Sequence, residues 1–390
     1  MSSPPLNGIR VVELARILAG PWAGQMLADL GADVIKVESP EGDDTRKWGP
    51  PFVTSAGGEN LSAAYYHACN RGKRSVVIDF STPEGAGTVR RLIATADVLI
   101  ENFKLGGLGK YGLDYETLRP ANPRLVYCSI TGFGQNGPYA PRAGYDFIIQ
   151  GMSGLMSITG PEDGEPQKVG VAVTDLFTGL YTVIAIQAAL RHAEATGEGQ
   201  LIDMALLDSQ ISVLANQNLN FLVSGRSPGR MGNAHPNIAP YEVYEAADGH
   251  FILAIGNDGQ FAKFCAIAGL GDLPGDPDFA TNPARVANRE RLRDRIVAAL
   301  LPWQRDDLLA RLAGAGVPAS PINTIGEMFA DPQTIARGLR LDLEDAQGNV
   351  LPSVRSPMLM SATPLAYRRP SPRLGEHTAE VLAELEKLPR

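Results

Sequence analysis

A single carboxylate, Asp175, sits where an apolar run (Val169–Val173) meets a second apolar run that contains a glycine (Leu176–Ile186). Asp at such a junction can do two things. It can cap a helix by accepting hydrogen bonds from the first free N–H groups, the commoner use of the residue there. It can also be a carboxylate held at a helix N-terminus in apolar surroundings, where desolvation retunes its chemistry and water is scarce. Earlier in the same stretch stands the triplet Gly144-Tyr145-Asp146. A Tyr hydroxyl, with a pKa near 10, is a poor base at neutral pH. It is a fair hydrogen-bond donor to an oxyanion, and its alternative reading is a core aromatic.

Other candidate chemistry is weaker. Gly132-x-Gly134-x-x-Gly137 matches the dinucleotide fingerprint and follows an apolar strand. That fingerprint must open a helix, and Pro138 and Pro141 forbid one immediately afterwards. The segment reads as a loop. The three cysteines have neither metal-type spacing nor a disulfide framework, so no metal site and a reducing compartment are expected.

The elements that must position these residues follow from the apolar pattern. Ile9–Leu14 and Asp33–Val37 read as buried strands around a helix at Pro21–Leu30, which Gly31 ends. Arg74–Phe80, Asp97–Ile100 and Leu125–Ile130 are further strands of the kind covered on both faces by helices. A helix opens at Thr82-Pro83-Glu84, a long one follows Asp175, a strand covers Gln200–Met204, and another helix covers Leu206–Val223. Alternating strands and helices predict an α/β fold with a Rossmann-like, doubly wound large domain. Ligands in such sheets sit beyond the carboxyl ends of the strands. The Gly- and Pro-rich segment 224–240 reads as a linker or lid, and an Asp248-Gly249 hairpin opens a smaller α+β domain. The expected division is 1–223 (large domain), 224–240 (linker), 241–315 (small domain) and 316–390, which returns to complete the large domain from the other chain end.

Composition bounds the class. A chain of 390 residues with 44% hydrophobic and 20% charged residues can bury ample core. A net charge of −8 argues against general nucleic-acid binding. The N-terminal sequence has no signal-type apolar core, and no apolar run is expected to reach the roughly 20 residues that span a bilayer. The expectation is a cytoplasmic protein with no membrane partner.

Taken together, the blocks LNGIRVVEL, AGP, LADLGADVIKVE, GDDTR (42–46), NRGKRSVVIDF (70–80), ADVLIENF (96–103) and TDLFTGLY resemble the class III CoA-transferases. These are the formyl-CoA and carnitine CoA-transferase type, whose superfamily also contains α-methylacyl-CoA racemases. The resemblance runs from Leu6 to Thr378. It implies that Asp175, in the register Gly170-x4-Asp175-x3-Gly179, is an acyl-accepting nucleophile working through an aspartyl anhydride and an aspartyl-CoA thioester. The racemase alternative needs a Gly-His-Asp triplet where Gly144-Tyr145-Asp146 stands, so Tyr145 is carried over as a catalytic residue of the transferase form. Contacts to CoA are implied at Ala19, Ile78, Asp79, Phe80, Ser81, Asn102, Phe103, Lys104, Lys110, Arg142, Ala143 and Gly144. Leu18 and Ser39 depart from the formyl-CoA transferase pattern, as does Gly232-Asn233-Ala234-His235 in place of a glycine-repeat loop. The stretches DDTRxWGPPF (43–52) and SGLMxITGPExGxP (153–166) look like those of succinyl-CoA:glutarate (dicarboxylate) CoA-transferases. A dicarboxylate needs an anchor for its distal end, for which Arg46 and Arg142 are candidates, with Leu18 and His235 as further acid-binding positions. No permanently bound cofactor is expected, only CoA and acyl-CoA as substrates. The family also implies an interlocked homodimer.

Overall fold

The computed structural model describes residues 3–387, in two units treated separately below. The first comprises residues up to 155, 168–224 and 332 onward. Its centre is a six-stranded, fully parallel sheet. The strands are β1 (Arg10–Glu13), β2 (Asp33–Glu38), β3 (Arg74–Val77), β4 (Val98–Glu101), β5 (Val126–Thr131) and β6 (Leu201–Ala205). Their order is β3-β2-β1-β4-β5-β6. Strand order therefore reverses between β1 and β4, which opens a crevice at their carboxyl ends.

The strands are near-continuous apolar runs because both faces are covered. One face buries Val11, Val34, Ile100 and Ile130 under α1 (Ala19–Asp29) and the long helix that begins at Val173. The other buries Val12, Ile35 and Leu99 under α2 (Pro83–Ile93) and a C-terminal helix carrying Val381 and Leu385. α1 begins at Ala19, two residues before the expected start, so Pro21 lies inside its first turn, where a missing N–H costs nothing. It stops just before Gly31, whose φ of +104° is available without strain only to glycine. Thr82 caps α2 by accepting from Gly85 N.

Three further helices complete the part of this unit that concerns the site: α3 (Asp146–Met152), α4 (Val173–Thr196) and α5 (Leu206–Ser212), followed by α6 (Asn216–Ser224). α5 and α6 replace the single helix expected over Leu206–Val223. The break falls at Ala215, with φ +48°, and the carbonyl of Ile211 accepts from Leu214 N at 3.2 Å and from the Asn218 side chain at 2.6 Å. α4 is apolar all round and, against the sequence expectation, long enough by length and composition to cross a membrane. In this fold it packs along α1 and against β5 and β6. The chain returns to the sheet through α7 (Thr378–Glu386), which Arg74 ties down by joining Asp33 on β2 to Glu380 and Glu384 on the helix.

The second unit covers 156–167 and 225–331, and so takes in an insertion from the large-domain sequence and runs past residue 315. An antiparallel three-stranded sheet is formed by Tyr241–Ala246, Gly249–Ala254 and Ala319–Pro321, with Asp248-Gly249 at its hairpin. Helices bury Phe261, Phe264, Leu292, Ile296, Leu308 and Leu312 against Phe251 and Leu253. Arg285 is fully buried there. Its guanidinium lies over Phe261 and donates to Ala239 O and Phe279 O while pairing with Asp258, so each of its nitrogens has a partner.

Candidate active site

The crevice predicted by the strand reversal is a cleft of about 460 Å³. Its floor is the loop between β1 and α1. At Ile17 that loop adopts φ +73°, a left-handed conformation that a β-branched residue enters at a cost of about 1–3 kcal/mol. One wall is the segment after β4, clamped to the floor by two reciprocal hydrogen bonds: Arg16 N donates to Asn102 Oδ1 (2.9 Å) and Asn102 Nδ2 to Arg16 O (2.7 Å).

The opposite wall depends on glycine. After β5, Gly132 lies backbone to backbone against Gly144, so close that a Cβ at either position would strike the other's Cα. The GFGQNG loop thus provides close packing where a nucleotide fingerprint would have opened a helix. It brings Gly144 and Tyr145 to the cleft, with Tyr145 62% exposed at the start of α3.

Next to Tyr145, Asp146 answers the question posed by Asp175. Thr174 N donates to Asp146 Oδ1 at 2.8 Å, and Gln150 Nε2 holds the other carboxylate oxygen at 2.7 Å. Asp146 therefore caps the start of α4, and the formal N-cap residue, Ala172, has no side chain to do so. Asp175 lies in the first turn of α4 without capping it. Its carboxyl lines the cleft, and no hydrogen bond reaches it among the described residues. Burial, and then the like charge of Asp146, push it up to about 7. Tyr65 shares this neighbourhood: burial, and then the negative charge of Asp175, push its hydroxyl up to about 12. Neither Tyr65 nor the capping role of Asp146 was anticipated from sequence. One turn after Asp175, Gly179 lets α4 approach α1, since a Cβ there would stand 2.9 Å from both Ala19 O and the Trp22 ring.

Of the residues expected at the site, the cleft brings together Leu18, Ala19, Phe80, Asn102, Phe103, Lys104, Lys110, Arg142, Ala143, Gly144, Tyr145 and Asp175. Three cations rest on aromatic faces there: Arg16 on Phe103, Lys110 on Tyr111, and Arg142 on Tyr139 and Phe133. A second cavity of about 160 Å³ shares Arg16, Phe80 and Phe103 with the cleft.

Others are elsewhere. Ile78 is buried in the core beneath α2, and Asp79 accepts from Ser81 N and Oγ in the turn that leads into that helix, so none of Ile78, Asp79 and Ser81 lines the cleft. Arg46 is buried too. Its guanidinium pairs with Glu38 (2.7 Å), lies 3.7 Å above the Tyr66 ring and donates to Pro372 O, which leaves nothing to offer a substrate carboxylate. Asn102 lines the cleft, but its amide is engaged by the Arg16 backbone. His235 belongs to the second unit, where its Nδ1 accepts from Asn237 N and its ring packs on Tyr241.

The chain also matches known proteins. The model of CoA-transferase family III matches residues 6–378. The chain belongs to that family. It is 68% identical over 388 residues to a succinate–glutarate CoA-transferase of Agrobacterium fabrum, covering 99% of this chain and 97% of that one. A succinyl-CoA:glutarate CoA-transferase of Mus musculus is 42% identical, with 98% of this chain and 87% of that one covered. Among solved structures, a CAIB/BAIF family protein from Brucella suis superposes with a TM-score of 0.89 at 62% identity, covering 98% of this chain and 100% of that one.

One residue of this family III CoA-transferase lies just behind the cleft wall. Glu101, at the end of β4, is buried, accepts from Phe103 N at 2.8 Å and faces no cation. Burial pushes it up to about 7 despite hydrogen bonds from Ser129 and Phe103. A carboxyl raised in the folded state binds a proton that the unfolded chain has already released. Stability on the order of 3 kcal/mol, full below pH 4.5, is therefore lost as pH rises through 7. Replacing Glu101 with Gln is expected to raise the melting temperature at pH 8 and leave it nearly unchanged at pH 4.5. Equal melting curves at both pH values would refute a charged, buried Glu101.

Proposed function

We propose that this chain moves CoA from succinyl-CoA to a short dicarboxylate of the glutarate type, with Asp175 as the covalent carrier. The observation that carries the chemistry is a carboxylate relieved of capping by Asp146 and opening, with no hydrogen-bond partner among the described residues, into a cleft edged by cations. The choice of acids rests on the relatives that share 68% and 42% of its residues.

In this mechanism a carboxylate oxygen of Asp175 attacks the thioester carbonyl. The C–S bond breaks, CoA leaves as thiolate, and a mixed aspartyl–succinyl anhydride remains. The thiolate then attacks the aspartyl carbonyl, releasing succinate and leaving an aspartyl-CoA thioester. The acceptor carboxylate displaces the thiolate to form a second anhydride. Attack of the thiolate on the acceptor's acyl carbon gives the new CoA ester and restores Asp175. Every step exchanges one acyl bond for another of similar energy, so no ATP is required. Tyr145 donates to the carbonyl oxygen as it becomes an oxyanion. Arg16, Lys104, Lys110 and Arg142 supply charge and stacking for a polyanion with an adenine. With Arg46 held internally, Arg142 is the remaining candidate for the distal carboxylate.

The same reading includes a homodimer. Phe147, Ile148, Leu180, Ile184, Leu222 and Val223, on α3, α4 and α6, are all exposed large apolar residues, and a second copy is the partner the family resemblance implies. The cytoplasmic assignment rests on Cys69, Cys128 and Cys265, all free and buried.

The test is a panel of carboxylic acids offered with succinyl-CoA, reading CoA esters by mass spectrometry and molar mass by light scattering. Glutaryl-CoA formation without α-deuterium exchange, by a dimer, is the expected result. Exchange without transfer would replace this function by racemisation, and a monomer active at nanomolar concentration would remove the dimer.

A further inference from the structure

The loop that floors the cleft has no secondary structure to hold it, yet side chains from distant parts of the chain satisfy its backbone. Ala15 O accepts from Lys36 Nζ (2.8 Å), and just past the loop, in the first turn of α1, Pro21 O accepts from Lys73 Nζ (2.8 Å). Asn102 holds both the N–H and the carbonyl of Arg16. Ile17 N points at the two oxygens of Asp43, at 3.4 and 3.3 Å, and Ile17 O accepts from Cys69 Sγ at 3.6 Å. Asp43 is itself fixed. It is 1% exposed, its N–H donates to Glu38, its carboxylate is 3.0 Å from Lys36 Nζ, and it caps the turn at Thr45. At the centre of this arrangement is a β-branched residue at φ +73°. Such a residue does not stay left-handed unless its surroundings compel it.

We infer that Asp43, with Asn102, is a positioning residue for CoA transfer, because it holds Ile17 in the left-handed conformation that aims Arg16, Leu18 and Ala19 at the cleft. Displacement of the floor would also reach the nucleophile, since Ala19 O abuts α4 at Gly179, one turn beyond Asp175. The inference relies on the transferase reading only for its kinetic readout.

A glycine enters the left-handed region without help. Ile17→Gly therefore removes the need for the hold, and this separates positioning from plain structural support. Four full-length proteins are compared with succinyl-CoA and glutarate: wild type, Asp43→Asn, Ile17→Gly and the double variant. Asp43→Asn is expected to lower kcat/KM for succinyl-CoA at least tenfold, and the double variant to be faster than Asp43→Asn alone. A double variant no faster than the single, or Asp43→Asn at wild-type speed, overturns the inference. Were Asp43→Asn not to fold, Asn102→Ala with and without Ile17→Gly gives the same comparison, with the same overturning outcome. Inactive wild-type enzyme would count against the transferase reading. The crystal structure of Asp43→Asn (or Asn102→Ala) then decides: residue 17 outside the left-handed region supports the hold, and residue 17 unchanged overturns it.

Discussion

Asp175→Asn is expected to lose CoA transfer by on the order of 10⁴-fold or more, because an amide cannot form the anhydride. The same substitution should make the protein more stable above neutral pH. Asp175 is held up to about 7 by burial and by Asp146, against an ordinary value of 3.8. The folded state thus keeps a proton between these values that the unfolded chain has lost. The stability it confers is complete below about pH 4 and disappears as pH rises through 7. Ionised Asp175 then costs the native state on the order of 2 kcal/mol, after allowance for its contact with solvent. Asn escapes that cost, so its melting temperature should exceed that of wild type at pH 8 and match it near pH 4. Wild-type kcat/KM should rise with pH along a limb centred near 7, since only the carboxylate attacks. Melting curves at the two pH values and a pH–rate profile check this. An Asn variant that retains turnover would end the nucleophile assignment. One that is inactive but melts below wild type at pH 8 would mean that Asp175 supports the fold.

The sheet was largely legible because its central strands are apolar on both faces. Runs such as VVEL, DVIKV and LVYCSI can only be covered by helices on either side, and the order of strand and helix signals does the rest. What the runs concealed was the charge inside them. Glu13 ends one apolar strand and Lys36 lies inside the next, and the fold places them, fully buried, in contact with each other. A charge within an apolar strand was the available signal, since such a residue persists there only if it is paired.

The role of Asp175 was illegible for a related reason. Whether an Asp at a helix start serves as its cap depends on what else can do so. Here the cap is Asp146, 28 residues before Thr174, which it holds through its side chain. Local sequence carries no record of that contact. Arg46 misled in the opposite direction. Its place in the DDTR motif suggests substrate recognition, and its environment is a buried pair with Glu38 over the Tyr66 ring. The close contact of Gly132 with Gly144 was likewise invisible, because it joins a loop to a segment that sequence spacing does not bring near.

The buried charges give the second large expected effect. Lys73 Nζ is wholly inaccessible and lies 2.9 and 2.8 Å from the two Glu13 oxygens, 2.8 Å from Pro21 O and 2.9 Å from Asn70 Oδ1. Lys73→Met fits the space but removes every one of these contacts. Glu13 keeps only Lys36, which is shared with Asp43, and Pro21 O and Asn70 Oδ1 lose their donor inside the protein. Breaking a buried pair from one side costs about 3–5 kcal/mol. Arg295→Ala is the useful contrast. It removes a pair with Asp272 that is as close, 2.7 Å against 2.8 Å, but half exposed on both sides, and should cost little. Thermal melts of the two variants should therefore differ by many degrees although the ion pairs differ in length by only 0.1 Å. Because Lys73 also holds the first turn of α1, Lys73→Met that remains folded should lose CoA transfer, while Arg295→Ala should not. If the two melts coincide, burial is not what makes the Glu13–Lys36–Lys73 cluster matter.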